Sequence, residues 1–392
     1  MKKDAFNLPN DIIYLDGNSL GPLPTAAKDR INNAIVDEWG KLLIKGWNDA
    51  GWMAQPRILG DRIGNLIGCP SGSVVIGDTL SIKVYQALAS ALAMRSDRKV
   101  VLSDNGNFPT DLYMAEGLLR TLDKGHRLDI VEPEKVEEHL SSEVAVLMLT
   151  QVDYRTGRMH DFDKITKAAH EVGAVVIWDL AHSAGAVPVN MTSCQAEFAV
   201  GCTYKYLNGG PGAPAFIYVR PDLIDDVQPA LAGWLGHDAP FSFELEYRPA
   251  PRSERMRVGT PPVLQMAALD AALSVWEGVS MDDVREKSVQ LSELFIKGVE
   301  EHCPELVLAS PRMSEERGSQ VSFLFEHGYA VIRALIDRNV IGDFRAPDIM
   351  RFGFTPLYLD EEDVLKAVQV FNEVMKSKPW TNPKYKKRDA VT

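Results

Sequence analysis

The sequence predicts an α/β protein: a large domain with a mostly parallel seven-stranded sheet, and a smaller α+β C-terminal domain. Seven apolar runs alternate with stretches of helical periodicity, which is typical of strands covered by helices on both faces of a sheet. After position 320, further strand-like runs stand between helices and indicate the second unit. The seven runs are 74–76, 100–102, 128–131, 144–149, 174–178, 197–202 and 215–219.

Apolar residues at helical spacing predict the elements between and around these strands. The predicted helices begin at Pro24 and cover about 55–67, 82–93, 111–122, 133–140, 161–172, 263–276, 281–302, 329–338 and 361–375, with strands at 320–325 and 350–354. We expect residues 1–50 to form an N-terminal segment that contributes to the small domain and the site. The large domain then covers 51–262, the small domain 263–378, and a basic tail 379–392.

Composition and charge restrict the class of partner. The chain has 392 residues, 45% of them hydrophobic, and a net charge of −12, which argues against nucleic acid or an anionic membrane surface as a partner. Its four cysteines form no CxxC pair and have no metal-type histidine spacing, so we expect reduced thiols and no metal site. No apolar run approaches the roughly 18 residues of a membrane span, and no apolar signal region follows Lys2 and Lys3. We expect a cytoplasmic protein that acts on a small molecule.

A lysine between two tyrosines is the strongest chemical signal. Lys205 follows the run 197–202 and precedes a glycine-rich turn, and a lysine at the end of a buried strand can become a nucleophilic amine. The alternative is a surface lysine in a polar loop. Asp179 ends the preceding apolar run, where a carboxylate can keep a cofactor ring nitrogen protonated. The alternative for Asp179 is a helix or turn cap. The pair suggests a Schiff-base lysine that serves pyridoxal phosphate.

The remaining needs of such a cofactor also have candidates. Leu80 and Ser81 begin a helix whose N-terminus could bind the phosphate, although Asp78 or Thr79 could simply cap it. Phe108 could lie on the cofactor ring. Ligands bind at the carboxyl ends of strands in such sheets, where Thr150 is also expected.

Arg351 is the candidate for the substrate carboxylate, because a guanidinium binds a carboxylate through two parallel hydrogen bonds. The alternative is a surface salt bridge.

Two stretches, 179–185 and 203–208, resemble those of the fold-type-I pyridoxal-phosphate-dependent transferase fold and, within it, the kynureninase family. Stretches 15–21, 107–111, 233–237, 260–262 and 350–352 are similar to the same family in the same order, so the resemblance covers nearly the whole chain. The combination of Trp47, Gly259 and Thr260 resembles the bacterial form, which prefers kynurenine to its 3-hydroxy derivative.

The resemblance implies hydrolysis of L-kynurenine to anthranilate and L-alanine by Cβ–Cγ cleavage, in tryptophan catabolism. It implies pyridoxal phosphate as the cofactor and a homodimer in which Trp234 and Thr260 reach the cofactor phosphate of the other subunit. The implied catalytic residues are Lys205, Tyr204 and Asp179. The implied cofactor contacts are these three with Leu80, Ser81, Phe108, Asp111, Thr150, His182, Trp234 and Thr260. The implied substrate contacts are Arg351, Asn18, Trp47, Gly259 and Thr260.

Three other readings stay open at this stage. Another fold-type-I enzyme, such as a cysteine desulfurase or lyase, would need a reactive cysteine in a mobile loop, and Cys303 before Pro304 is a poor candidate. A non-catalytic regulator with this fold is opposed by the joint presence of Lys205, Asp179 and Arg351. A nicotinamide enzyme is opposed by the lack of a GxGxxG motif after the early strands.

One departure from the family concerns the predicted phosphate loop. Asp78 and Lys83 stand there where more neutral residues are expected, which leaves the detailed phosphate contacts open.

Overall fold

A computed structural model describes residues 1–388, and the last four residues of the predicted basic tail lie outside the described residues. The strands are β1 (Ile13–Tyr14), β2 (Val74–Ile76), β3 (Val100–Asp104), β4 (Arg127–Val131), β5 (Val144–Thr150), β6 (Val175–Asp179), β7 (Phe198–Gly201), β8 (Phe216–Val219), β9 (Val307–Leu308), β10 (Gln320–Leu324), β11 (Val340–Ile341), β12 (Asp343–Arg345) and β13 (Ile349–Gly353). The α-helices are α1 (Ala27–Asn33), α2 (Gly46–Asp49), α3 (Gln55–Leu66), α4 (Leu80–Met94), α5 (Pro109–Leu122), α6 (Val136–His139), α7 (Phe162–Glu171), α8 (Met191–Cys194), α9 (Val263–Ser274), α10 (Met281–His302), α11 (Gly328–Ile336) and α12 (Glu361–Ser377).

The largest sheet within residues 1–388 has seven strands in the order β2-β8-β7-β6-β5-β3-β4. β8 alone runs opposite to the other six strands of this sheet, so the mostly parallel sheet that the sequence predicts is confirmed. Strands β5 to β8 are buried along their whole length, because helices and loops cover both faces. The carboxyl ends of β5, β6 and β7 therefore meet at one edge of the sheet.

A second, antiparallel sheet has the order β12-β13-β10-β9 and lies in the C-terminal part of the chain. A two-stranded parallel pair joins β1 to β11, so the N-terminal segment pairs with the region predicted as the small domain. The sequence patterns predict a short strand at 12–15, where β1 lies, but they missed β9, β11 and β12, because two or three residues are too few for a recognisable alternation. The predicted domain boundaries stay a prediction.

The helices agree with the periodicity, with local differences at their ends. The structure extends α1 as a π-helical segment over Ala34–Leu42, and the predicted helix at 133–140 is a 3₁₀ turn followed by α6. Asp360 caps α12 in a capping box with Asp363, as the position of Asp360 before the apolar pattern indicates. The long irregular stretch 230–262 contains only short 3₁₀ turns, at Trp234–Gly236, Pro240–Ser242 and Arg252–Met256.

The four cysteines are buried and none is in a disulfide. No helix in the described part of the chain has both the length and the apolar character needed to cross a membrane.

Candidate active site

The site is built on two neighbouring strands of the large sheet. Asp179 is the last residue of β6, and Lys205 follows the end of the parallel neighbour β7 by four residues. Thr150 ends β5 and is the register partner of Asp179. The side chains that the sequence analysis put at strand ends therefore converge, because parallel strands place their carboxyl ends at one edge.

Lys205 lies among an imidazole and two aromatic rings. Its Nζ is 3.2 Å from Nε2 of His182, 5.9 Å from the ring centre of Phe108 and 5.8 Å from that of Tyr204. Phe108 also packs edge-on against Tyr154, with ring centres 5.1 Å apart. Lys205 is half-buried, which is more exposed than the sequence predicts for a lysine at the end of a buried strand.

The N-terminal loop holds the lysine segment from the other side. The Gly21 N–H donates to the Tyr204 carbonyl at 2.8 Å. A Cβ at Gly21 would lie 2.5 Å from the Lys205 carbonyl oxygen and 2.5 Å from Oδ1 of Asn208, so the backbone approach requires glycine.

Buried carboxyl groups surround the position of the lysine amine. One oxygen of Asp179 accepts from the Ala181 N–H at 2.9 Å, so the turn-cap alternative holds for that oxygen. Burial raises the pKa of Asp179 to about 6, while the positive charge of Lys205 opposes that shift. Burial, with the nearby Asp179, also raises the pKa of Asp111 well above its usual range. Oδ2 of Asp111 is buried and has no hydrogen-bond partner among the described residues.

His182 is uncharged at neutral pH. Burial holds its pKa well below the ordinary value, and the positive charges of Lys205, Arg351 and Arg345 act in the same direction. The ring also hydrogen-bonds the backbone of Asn18, which opposes the shift. A neutral imidazole can accept a hydrogen bond at Nε2 from the lysine amine.

The N-terminus of α4 is free of a side-chain cap. Thr79 occupies the N-cap position with an extended backbone, but its side chain makes no capping bond, so the capping alternative is wrong for Thr79. Asp78 instead binds Nζ of the fully buried Lys83 at 3.1 Å. Lys83 also donates to Oε1 of Gln86 and to the Met256 carbonyl. Its charge is thus matched inside the loop, and Leu80 and Ser81 are left at the open helix end.

Arg351 is buried rather than on the surface, so the surface salt-bridge alternative is wrong. Its Nε donates to Oδ1 of Asp343 at 2.7 Å, and its Nη2 donates to Oδ2 of Asp343 and to the Ser19 hydroxyl. Its Nη1 donates to the Tyr154 carbonyl. Asn18 is also buried; its Nδ2 donates to Gln320 and its Oδ1 has no partner in the described chain.

Four predicted site residues belong to other segments of the chain and make no hydrogen bond or ring contact with Lys205 in the described structure. Trp47 packs edge-on against Trp52, and Nη1 of Arg257 donates to the Met53 carbonyl nearby. The turn that contains Trp234 contacts the segment next to Arg257, because the Leu235 N–H donates to the Val258 carbonyl. These four residues, namely Trp47, Trp234, Gly259 and Thr260, have no recorded contact with Lys205, and Trp234, Gly259 and Thr260 are exposed.

The residues at the strand edge fit pyridoxal phosphate. They present a lysine amine, buried carboxyls and an aromatic ring, and the open N-terminus of α4 suits a phosphate. The orphaned Oδ2 of Asp111 indicates room for a further polar partner at this position. No group of His, Cys, Asp or Glu side chains within residues 1–388 is arranged to hold a metal ion.

Comparison with known proteins gives the family. The model of the kynureninase C-terminal domain matches residues 284–371. A kynureninase from Pseudomonas fluorescens is 47% identical over 397 aligned positions, which cover 100% of this chain and 95% of that protein. A kynureninase from Burkholderia pseudomallei strain 1106a is 46% identical with the same coverage. The chain belongs to the kynureninase family.

Solved structures confirm the fold. The apo cysteine desulfurase from Thermococcus onnurineus NA1 superposes with a TM-score of 0.81 at 19% identity, covering 96% of this chain and 97% of that one. A mutant of the protein C-DES with glycine covalently linked to its PLP cofactor has a TM-score of 0.81 at 16% identity, covering 95% of this chain and 99% of that one. The predicted fold-type-I architecture is thus confirmed by structural neighbours as well as by the kynureninase family.

Sequence reasoning missed Ser19, Tyr154, Asp343 and Arg345, which the structure brings to Arg351 and Phe108. Ser19 stood inside the loop 15–21 but carried no separate signal. Asp343 and Arg345 are two apart on a short strand, so both point to one side of it. That spacing beside Arg351 is a signal that could have found them.

Proposed function

We propose that this protein hydrolyses L-kynurenine to anthranilate and L-alanine with pyridoxal phosphate, as a cytoplasmic enzyme of tryptophan catabolism. One observation carries the proposal: Lys205 and Asp179 stand at the ends of neighbouring parallel strands in a chain that is 47% identical over its full length to a kynureninase. Residues 51–262 would be the cofactor-binding domain, and residues 1–50 and 263–378 would contribute the smaller one.

The chain offers a group for each part of the cofactor. Lys205 would hold the aldehyde through its amine, and Asp179 would pair with the ring nitrogen, with Asp111 and His182 beside it. Phe108 would cover the ring, and Thr150 would contact it near the ring oxygen. Leu80, Ser81 and Tyr204 would bind the phosphate, with the N–H groups of α4. When bound, pyridoxal phosphate supplies an electron sink for carbon–carbon bond cleavage.

Two residues move protons in this proposal. Lys205 would take the proton from the substrate α-carbon through its amine. Tyr204 is protonated at neutral pH. Burial raises its pKa most, and the nearby Cys202 raises that pKa further. It can therefore act as the acid at the γ-carbonyl oxygen while water attacks the γ-carbon. The neutral His182 can accept a hydrogen bond from the Lys205 amine and orient it before the proton transfer.

Arg351 would bind the substrate carboxylate, and Asn18 would contact the substrate beside it. The aryl group needs a pocket, and the candidates are Trp47, Gly259 and Thr260. A Cβ built on Gly259 meets no atom within 4 Å, so there is space for a ring next to that backbone. Because this combination resembles that of the bacterial form, our proposal includes a preference for kynurenine over its 3-hydroxy derivative.

A homodimer with shared sites would bring these further residues to the cofactor. Trp47, Trp234, Gly259 and Thr260 make no hydrogen bond or ring contact with Lys205 in the described chain, and Trp234 is 42% exposed. In our proposal Trp234 and Thr260 of one subunit reach the phosphate bound by the other. Coexpression of Lys205→Ala and Trp234→Ala chains tests this, because a mixed dimer regains one intact site. Each mixed dimer should have about half of the wild-type activity, and random pairing makes half of the dimers mixed, so we expect recovery of about a quarter of the wild-type activity over the whole preparation. No recovery would contradict shared sites.

Anthranilate fluorescence tests the reaction itself. Purified protein with pyridoxal phosphate and L-kynurenine should release anthranilate and alanine in equal amounts. Lys205→Ala should lose both the activity and the visible absorption of the lysine-bound cofactor. A protein that shows this absorption but releases no anthranilate would refute kynurenine hydrolysis and leave the cofactor assignment intact. Cysteine desulfurase activity is disfavoured, because all four thiols are buried.

A further inference from the structure

Arg351 and Asp343 form a cross-strand pair that is electrically neutral. They are directly opposite in register on β13 and β12, and the carboxylate accepts from both Nε and Nη2 of the guanidinium. Burial raises the pKa of Asp343, but the charge and hydrogen bond of Arg351, together with Arg345, outweigh burial and hold that pKa below its usual value. Asp343 is therefore an anion. Arg351 alone is thus a weak attractor for a second carboxylate, since its nearest neighbour already cancels its charge.

Arg345 restores a positive charge to this group. Its Nη2 lies 2.9 Å from Oδ2 of Asp343, so one carboxylate is shared by two guanidinium groups. The Ser19 hydroxyl links all three: it donates to Asp343 and accepts from Nη2 of Arg351 at 2.9 Å and from Nη2 of Arg345 at 3.3 Å. Two cations and one anion leave one net positive charge.

Among the described residues, Asp16 is the other carboxyl that acts on the charge of this group. Burial, and then the charge of Asp343, raise the pKa of Asp16 to about 8, so it is largely uncharged at pH 7. Its Oδ1 is buried without a partner in the described chain. With Asp16 protonated, the two guanidinium groups and Asp343 keep one net positive charge.

This charged group is linked to the surroundings of Lys205: Nη1 of Arg351 donates to the Tyr154 carbonyl, and the Tyr154 ring packs against Phe108, beside the lysine amine. Arg351 and Arg345 both act on the pKa of His182, whose Nε2 is 3.2 Å from Nζ of Lys205. Arg345 also acts on the pKa of Tyr204. The side chain of Arg345 is 32% exposed, whereas that of Arg351 is 2% exposed, so Arg345 is the more accessible of the two guanidinium groups.

We propose that Arg345 is a positioning residue for substrate recognition: it neutralises Asp343 and so leaves the charge of Arg351 to the amino-acid carboxylate. Hydrogen bonds to Asp343 and Ser19 fix the orientation of the Arg351 guanidinium. Arg345 offsets the negative charge of Asp343 beside it. The inference rests on the proposed function, in which Arg351 binds the substrate carboxylate.

The test compares two small ligands on the cofactor-loaded protein by calorimetry. L-alanine carries the amine and the carboxylate, and L-alaninamide carries the same amine with an uncharged amide. Arg345→Gln should lower the affinity of the protein for L-alanine by about tenfold and change its affinity for L-alaninamide by less than about twofold. An equal loss for both ligands would show a structural role, and no loss for L-alanine would show no role; either result overturns the proposal.

Two further variants guard against an unfolded or nonspecific result. Arg345→Lys keeps the charge and should retain L-alanine affinity within about threefold; a loss as large as that of Arg345→Gln also overturns the proposal. Arg338→Gln removes one positive charge near the end of α11, where Nη1 donates only to the Ala334 carbonyl, and should leave both affinities unchanged.

Turnover separates this inference from the proposed function. With L-kynurenine, Arg345→Gln should raise KM by about tenfold and lower kcat by less than about threefold. If the wild-type protein releases no anthranilate, the proposed reaction fails, while the comparison of L-alanine with L-alaninamide still tests the role of Arg345.

Discussion

Nε2 of His182 lies 3.2 Å from Nζ of Lys205, and this neutral imidazole makes the stability of the cofactor-free protein sensitive to acid. Its folded-state pKa lies well below the ordinary value of about 6.5, so below that pH the unfolded chain binds a proton that the folded chain does not. Stability is therefore lost as pH falls below about 6.5. As pH falls from 7.5 to 5.5, the free energy of unfolding of His182→Phe should rise by about 1.4 kcal/mol relative to that of wild type.

Urea unfolding of both proteins at the two pH values measures this difference. His139→Phe is a control, because His139 is an exposed helix-end histidine whose Nδ1 contacts only the Lys135 carbonyl. A difference between His182→Phe and wild type that does not change with pH would contradict the assignment of a neutral His182.

Asp179 has the opposite dependence. Its folded-state pKa is raised to about 6 by burial, so the folded chain keeps a proton that the unfolded chain has lost. The stability that this proton contributes is complete below about 3.9 and is lost as pH rises through about 6. Asp179→Asn should therefore be more stable than wild type without cofactor, by roughly 2 kcal/mol more at pH 7.5 than at pH 4.5, and should lose activity.

The comparison uses urea unfolding of the cofactor-free proteins, with Asp97→Asn as an exposed control that should show no such change. Equal destabilisation of Asp179→Asn at both pH values would contradict a raised pKa of Asp179 in the folded protein.

Gly21 is expected to tolerate no side chain. A Cβ there would lie 2.5 Å from the Lys205 carbonyl oxygen, so Gly21→Ala must displace the lysine turn or the N-terminal loop. We expect a loss of activity of at least about tenfold and a stability loss of roughly 2 kcal/mol.

Gly117→Ala is the matched control: its Cβ meets no atom within 4 Å and it lies in α5, so stability should rise by about 0.5 to 1 kcal/mol. Turnover and urea unfolding measure both; a fully active Gly21→Ala would refute the close packing.

Lys83 is expected to support the phosphate loop. Its ammonium is fully buried and joins Asp78 at 3.1 Å to Gln86 and to the Met256 carbonyl. Lys83→Met has a side chain of similar length but removes the donor to Asp78 and to Oε1 of Gln86, while the Met256 carbonyl keeps its bond from Nε2 of Gln86. We therefore expect a stability loss of roughly 2 to 4 kcal/mol and weaker cofactor binding. Lys167→Met, on the exposed face of α7, should change neither by more than about 0.5 kcal/mol. Equilibrium dialysis of pyridoxal phosphate and urea unfolding provide the measurements. Wild-type cofactor affinity in Lys83→Met would contradict the role in the loop.

The large sheet could be predicted because each of its strands is a continuous apolar run bounded by turn residues. The period of α10 gave its bounds, Met281–His302, without error, since a long amphipathic helix repeats its signal over many turns. The pairing of β1 with β11 could not be predicted, because two residues carry no pattern and their partners are more than 300 positions away.

The chemistry divides in the same way. By itself the sequence determined the sheet, the placement of Lys205 and Asp179 at strand ends and the family, because local periodicity and motif spacing are properties of contiguous residues. Only the tertiary structure decided that Asp343 forms ion pairs with both Arg345 and Arg351, that Gly21 contacts the lysine turn, and that Lys83 pairs with Asp78 inside the predicted phosphate loop. These relations depend on distances between segments far apart in the chain and on burial, which sets how strongly charges interact and which polar atoms find a partner.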